Sequence, residues 1–205
     1  MKWVVATRNP DKLREIRALF SALPVELLNL ADFPAAGLVE ETGTSLQENA
    51  LLKAQAAHRA TGLPALADDT GLEVDALGGA PGIHAARYAG PRATYRQNWQ
   101  KLLQALEAVP EHQRTARFRT CAVYLDEGWE VAAEGVIEGV IATAPQGEQG
   151  FGYDPVFHPL GAAITFGAMT AEQKQHLSHR GRAFRALYSK LARAMSTLEI
   201  KEITA

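Results

Sequence analysis

The chain has a single cysteine, Cys121, in 205 residues. One thiol closes no intramolecular disulfide and builds no cysteine-rich metal site. It lies in the apolar run RTCAVYL and reads as a buried core thiol rather than a nucleophile. A reducing, cytoplasmic setting suits it. A basic surplus is also missing: 21 Lys and Arg meet 23 Asp and Glu, a formal net charge of −2. That balance argues against a general nucleic-acid binder. No stretch approaches the roughly 20 apolar residues of a membrane span, so no membrane partner is expected. The opening MKWVVATRNPDK turns polar too soon for the apolar core of a signal peptide. There is no internal repeat, no low-complexity linker, no H-E-x-x-H and no Walker string G-x-x-x-x-G-K-[ST].

What is there suits an α/β protein. Hydrophobic residues make up 47% of the chain, enough for a proper core at this length. WVVA (Trp3 to Ala6) reads as a buried strand, and Asn9-Pro10 opens a helix with an apolar stripe at Leu13, Ile16, Leu19, Phe20 and Leu23. VELLNL is a second strand. Ser45 and Glu48 make a capping-box pattern for a helix running to about Thr61, where Gly62 and Pro64 stop it. PALA then leads into the adjacent acids Asp68 and Asp69, which read as the end of a buried strand. A third helix spans about Ala93 to Ala108. TARFRTCAVYLD and WEVAAEGVIEGVIA, separated by Glu127-Gly128, read as a hairpin. A last helix spans about Arg182 to Met195, and the tail TLEIKEITA is expected to add an edge strand or remain disordered. This order suggests a mixed sheet with helices packed around it.

Four polar clusters carry chemistry. TRNPDK, Thr7 to Lys12, joins a strand to a helix start, where backbone N–H groups and the helix dipole suit phosphate. Taken alone, an ordinary Asn-Pro cap with a solvated lysine is the simpler explanation. Glu40, Glu41, Asp68 and Asp69 form an acidic set; Mg²⁺ is typically held by one or two carboxylates plus phosphate oxygens and water. The alternative is a turn after a strand, but burial beside PALA makes unpaired charge costly. GFGYDP lets the backbone approach a ligand closely and offers Phe151 and Tyr153 for stacking. KQHLSHRG gathers the donors Lys174, His179 and Arg180, or else is a solvated helix start capped by Ser178. Taken together, the clusters describe a site for a nucleoside triphosphate with Mg²⁺.

Five segments carry a resemblance: ATRNPDKLREI, EETGTSLQENALLKA, ADDTGLEVDALGGAPGIHAARYAG, GFGYDPVF and KQHLSHRGRA. In this order and over about residues 5 to 185 the chain resembles the inosine triphosphate pyrophosphatase, or Ham1-type, family. The resemblance implies hydrolysis of the α–β phosphoanhydride of deaminated purine nucleotides (ITP, dITP, XTP), giving the monophosphate and pyrophosphate. It implies Mg²⁺ dependence and a homodimer. It also implies an α/β fold: an elongated mixed β-sheet with flanking helices forming two lobes around a central cleft, in one domain over residues 1–205 whose lobes share the sheet.

Carried over residue by residue, Thr7, Arg8, Asn9, Pro10, Asp11 and Lys12 match the triphosphate-binding turn, and Lys53 a phosphate-contacting lysine. Asp69 matches the general base and a metal contact. Glu41, with or without Glu40, matches the metal-binding glutamate. Thr70 occupies a substrate-contact position. Phe151, Gly152, Tyr153 and Asp154 match the base-pocket loop, and Lys174, His179 and Arg180 the C-terminal substrate contacts. There are departures: Arg8 stands where many members have glycine, Thr70 where serine is common, and Leu46 where phenylalanine is common. Rival readings are a pyrophosphatase for another base, a nucleotide sensor without turnover, and an RNA-binding module using the last helix.

Overall fold

The helix starts follow local side-chain chemistry. In the computed structural model, which describes every residue except Ala22, Leu38, Thr204 and Ala205, and side chains up to position 193, strand β1 (Lys2–Val5) leads to helix α1 (Pro10–Phe20). The Asn9 side chain caps α1 by accepting from the Asp11 and Lys12 N–H groups, and Pro10 takes the first helical position. Strand β2 (Glu26–Asn29) follows, then helix α2 (Leu46–Thr61), where Ser45 accepts from the Glu48 N–H. Glu48 itself reaches Thr44, accepting from its N–H at 2.6 Å. Gly62 ends α2 in the left-handed conformation, φ 65°, and donates its N–H to the His58 carbonyl.

Strand β3 (Ala65–Val74) is longer than the sequence suggests. Asp68 and Asp69 therefore lie inside a strand and not at its end, because Gly71-Leu72-Glu73-Val74 continues the buried extended chain. The short strand β4 (Pro81–Gly82) precedes helix α3 (Tyr95–Ala105), which Thr94 and Gln97 start with a reciprocal capping box. Strands β5 (Thr115–Asp126) and β6 (Trp129–Ile141) are joined by two residues, as expected for a hairpin. Strand β7 (Phe157–Pro159), helix α4 (Ala171–Leu177) and helix α5 (His179–Ile203) complete the order. The predicted edge strand or disorder in the tail is not found where the chain is described: α5 continues to Ile203, and Thr204 and Ala205 lie outside the described residues.

Among the described residues one sheet has the strand order β2-β1-β3-β5-β6-β7, with β4 paired to β3. β1 runs parallel to β2 and β3, whereas β4 and β7 run antiparallel to β3 and β6. The sheet is thus mixed, with helices around it, as the sequence leads one to expect.

The chain forms two compact units. One comprises Met1–Asp69, Cys121–Gly135 and Gly181–Ala205; the other comprises Thr70–Thr120 and Val136–Arg180. The first packs Val5 and Leu66 against the α1 stripe (Leu13, Ile16, Phe20) and against Phe184 and Leu187 of α5. Trp3 meets Phe20 and Tyr124 edge-on, with ring centroids 6.1 and 5.0 Å apart. The second unit has its own core of Leu72, Leu102, Ile137, Phe118, Phe157 and Phe166. Each core gathers side chains from segments distant in sequence, so neither unit is a continuous stretch of chain.

Cys121 is buried, and burial first, then the charges of Glu134, Asp69 and Asp68, push its thiol up to about 11. The native protein is therefore expected to react with a thiol-specific chromogenic disulfide far more slowly at pH 8 than the guanidinium-unfolded chain does. Equal rates in the two states would show that Cys121 is accessible.

Candidate active site

Successive residues of a strand point to opposite faces. Asp68 and Asp69 accordingly meet different helices of the first unit. Lys12 on α1 donates to Asp68 Oδ2 at 2.9 Å. Lys53 on α2 donates to Asp69 Oδ1 at 2.6 Å and to Glu41 Oε1 at 3.2 Å. Both aspartates are buried, and side-chain exposure is only 17% for Lys12 and 14% for Lys53. The acids are thus not left without a counter-ion, as the sequence alone suggests; the lysines of α1 and α2 neutralise them inside the fold.

The cluster sets three carboxylates against two ammoniums, and Asp69 and Lys53 are both raised, for different reasons. Burial raises Asp69 above the ordinary carboxylate value, more than Lys53 and Lys12 draw it down. Burial would lower Lys53, but the charges of Asp69, Asp68 and Glu41 outweigh it and hold the ammonium above its usual value. Glu41 is half-buried within this cluster, while the Glu40 side chain is exposed. Of the two glutamates, Glu41 is the one placed beside Asp69's lysine.

Asn49 is fully buried on α2, one helical turn before Lys53 and on the same face. It donates to Asp69 Oδ2 at 3.5 Å and accepts from the Gly43 N–H at 2.8 Å. Sequence reasoning missed Asn49. The i, i+4 spacing from Lys53 was the available signal.

The turn from Thr7 to Lys12 differs in detail from the expectation of open backbone donors. The Asn9 carboxamide takes the Asp11 and Lys12 N–H groups at 2.9 and 3.4 Å, because an Asn cap satisfies the donors at a helix start. Thr7 Oγ1 accepts from the Asn9 N–H at 3.1 Å, Asp11 pairs with Arg14, and the Arg8 guanidinium donates to the Ala36 carbonyl. What this turn offers a phosphate is the helix dipole, the Thr7 hydroxyl and Lys12.

The second unit holds the remaining candidates. Lys174, Ser178, His179 and Arg180 are all buried, which corrects the picture of a solvated helix start. Thr170 and Gln173 cap α4 instead, and Ser178 is the C-cap separating α4 from α5. The Lys174 ammonium is ion-paired with Asp154 and lies over the Phe151 ring, 4.6 Å from its centroid. Asp154 Oδ2 also accepts from the Phe151 N–H at 2.7 Å, which fixes the loop. Gly150, at φ +73°, is required here: a Cβ would lie 2.1 Å from Asp154 Oδ2. Tyr153 is buried and donates its hydroxyl to the Ala85 carbonyl at 2.8 Å, so it serves the core, while the half-buried Phe151 keeps a ring near Tyr95. His179 stacks on Phe118, centroids 4.4 Å apart at 17°, and Arg180 places its guanidinium 5.4 Å from the Phe151 centroid. Arg180 also donates to Thr70 Oγ1 at 3.1 Å. Phe118 was not recognisable as part of this cluster from sequence, because its partners lie on segments far along the chain.

Among the described residues no group of three or more His, Cys, Asp or Glu side chains is arranged to hold a metal alone. Asp69 and Glu41 instead face one ammonium. That donor set fits a hard cation that takes one or two carboxylates and completes its shell with phosphate oxygens and water. No described helix is long and apolar enough to cross a membrane.

The chain matches known proteins over most of its length. The model for the Ham1 family matches residues 3–190. A Geobacter sulfurreducens protein named dITP/XTP pyrophosphatase is 50% identical over 185 residues, covering 90% of this chain and 93% of the relative. A Thermus thermophilus protein of the same name is 50% identical over 188 residues, covering 91% and 90%. The structure of a HAM1 protein from Coxiella burnetii superposes with a TM-score of 0.84 at 38% identity, covering 94% of this chain and 99% of that one.

Proposed function

The chain belongs to the Ham1 family, and from that premise we propose that it is a nucleoside triphosphate pyrophosphatase acting on ITP, dITP and XTP. Water attacks the α-phosphorus, the bond from that phosphorus to the α–β bridging oxygen breaks, and the products are the nucleoside monophosphate and pyrophosphate. The observation that carries this reading is the buried Asp69 carboxylate, raised in pKa and flanked by Glu41, Lys53 and Lys12. A carboxyl moved toward the working pH is a better proton acceptor from water than one at its ordinary value. Lys12 and Lys53 neutralise charge that develops on the departing pyrophosphate. Mg²⁺, for which Glu41 and Asp69 are the fitting residues, supplies further charge neutralisation on the triphosphate when bound.

The second unit's donors account for discrimination against adenine. Hypoxanthine and xanthine carry an acceptor oxygen at C6, where adenine carries an amino donor. Lys174, His179 and Arg180 can pair with that oxygen. Adenine's amino group is not an acceptor, and a donor turned from its present partner toward C6 would lose that bond without gaining one, at roughly 1–3 kcal/mol. The homodimer belongs to the same reading, and light scattering on the purified protein tests it.

Purified protein with Mg²⁺ is expected to turn over ITP, dITP and XTP to monophosphate and pyrophosphate, ATP and GTP far more slowly, and none of them after chelation with EDTA. Comparable kcat/KM for ATP and ITP would overturn the specificity. Release of orthophosphate would overturn the site of cleavage.

A further inference from the structure

Asn49 is fully buried near the start of α2, a helix whose other buried positions are Leu46, Ala50, Ala54 and Ala57. Leucine or alanine would suit both the helix and the burial better. A buried carboxamide is tolerated where its polar atoms are bonded, and both ends of this one have a partner. The Gly43 N–H approaches Asn49 Oδ1 to 2.8 Å. An N–H only donates, so the carboxamide oxygen has to face it. That orientation leaves Nδ2, a donor, toward Asp69 Oδ2 at 3.5 Å. The approach of residue 43 requires glycine, since a Cβ there would lie 2.7 Å from both Asn49 Oδ1 and Glu48 Cβ. Lys53, one turn further along α2, donates to the other oxygen, Asp69 Oδ1, at 2.6 Å.

We propose that Asn49 is a positioning residue for the reaction, its carboxamide holding Asp69 Oδ2 while Lys53 holds Oδ1, so that α2 fixes the plane of the carboxylate. The inference rests on the function proposed above. A contact to one oxygen alone leaves the carboxylate able to pivot around it, because the torsion about Cβ–Cγ is broad. A second donor at the other oxygen removes that freedom. The two contacts have different strengths. The Lys53 bond is short and joins two charges. The Asn49 contact is long, so it sets the direction of Oδ2 without exhausting its capacity to accept; a carboxylate oxygen has two acceptor positions. Oδ2 is thus the oxygen that takes the proton from water. Gly43 secures the arrangement from the far side, because its N–H fixes which end of the carboxamide faces Asp69.

The test is ITP hydrolysis by Asn49→Ala, Asp69→Asn and the double variant, with Ser45→Ala, which removes the α2 cap, as the structural control. Asn49→Ala is expected to lower kcat about tenfold, the scale of one hydrogen bond to a charged group, with KM within about twofold of wild type. Ser45→Ala should lower the melting temperature yet leave kcat within about twofold. The double variant should be no slower than Asp69→Asn, because Asn49 acts only through Asp69. NMR of the side-chain amides gives a second readout on folded protein. Asp69→Asn is expected to shift the Asn49 Nδ2 protons upfield and to leave in place those of Asn98, which bonds Ala86 and Ala89 in the second unit. Wild-type kcat in Asn49→Ala, an equal kcat loss in Ser45→Ala, losses that multiply in the double variant, or an unmoved Asn49 signal would each overturn the inference. The NMR comparison decides the matter if Asn49→Ala folds poorly. A wild-type protein inactive on ITP would instead defeat the function proposed above.

Discussion

Asp69→Asn is expected to lower kcat for ITP by about 10²–10⁴-fold, the usual contribution of a positioned general base. Asparagine keeps the shape and the ability to accept from Lys53 but cannot take the proton from water. The fold should survive. The Asp69 carboxyl is raised above its ordinary value by burial, so its ionised form is less favourable in the folded protein than in the unfolded chain. Between the ordinary carboxylate value and the raised one, the folded state binds more protons than the unfolded state. Stability conferred by this group therefore falls as pH rises through that window, and Asp69→Asn should lack this component. Melting temperatures of both proteins across the acid range would show it, and kcat/KM of the wild type should fall on the acid side as Asp69 protonates. Near-normal turnover in the folded variant would remove Asp69 from the chemistry.

Lys174→Met should produce the largest loss of stability. Lys174 and Asp154 are both buried and ion-paired. Removing the ammonium leaves the Asp154 carboxylate in the interior without its countercharge, a change that costs about 3–5 kcal/mol. For a chain of this length that is roughly a 10 °C fall in melting temperature. The affected loop carries Phe151, whose N–H bonds Asp154 and whose ring lies under the ammonium, so discrimination between ITP and ATP should weaken as well. Adding Asp154→Asn to Lys174→Met should recover a substantial part of the lost stability, since no buried charge then remains at that position. Urea or thermal unfolding of the three proteins measures this. A loss below 1 kcal/mol in Lys174→Met would mean that the carboxylate reaches water or another cation.

Asn9 and Lys174 differ in how far along the chain their partners lie. Asn9, Pro10, Ser45 and Gly62 act on backbone groups within four residues of themselves, and the helix boundaries they set are found where local chemistry puts them. The apolar stripe of α1 and the two-residue link between β5 and β6 are equally local. Lys174 is different. As one of the donors in KQHLSHRG it reads as a ligand contact or as part of a solvated helix start, and its buried ion pair is not legible, because its carboxylate lies 20 residues away in the chain and its aromatic cover comes from Phe151 and Phe166.

The acidic pair follows the same rule. The sequence by itself determined that two adjacent carboxylates would sit beside a buried run and which α/β family the chain resembles. Only the tertiary structure decided that β3 carries on past them and that Lys12, 56 positions away from Asp68, and Lys53, 16 away from Asp69, supply the opposing charge. The physical reason is range. Capping and turn chemistry act between near neighbours in the chain, whereas a buried charge is stabilised by whatever the packed fold brings within about 3–4 Å, and chain separation does not predict that.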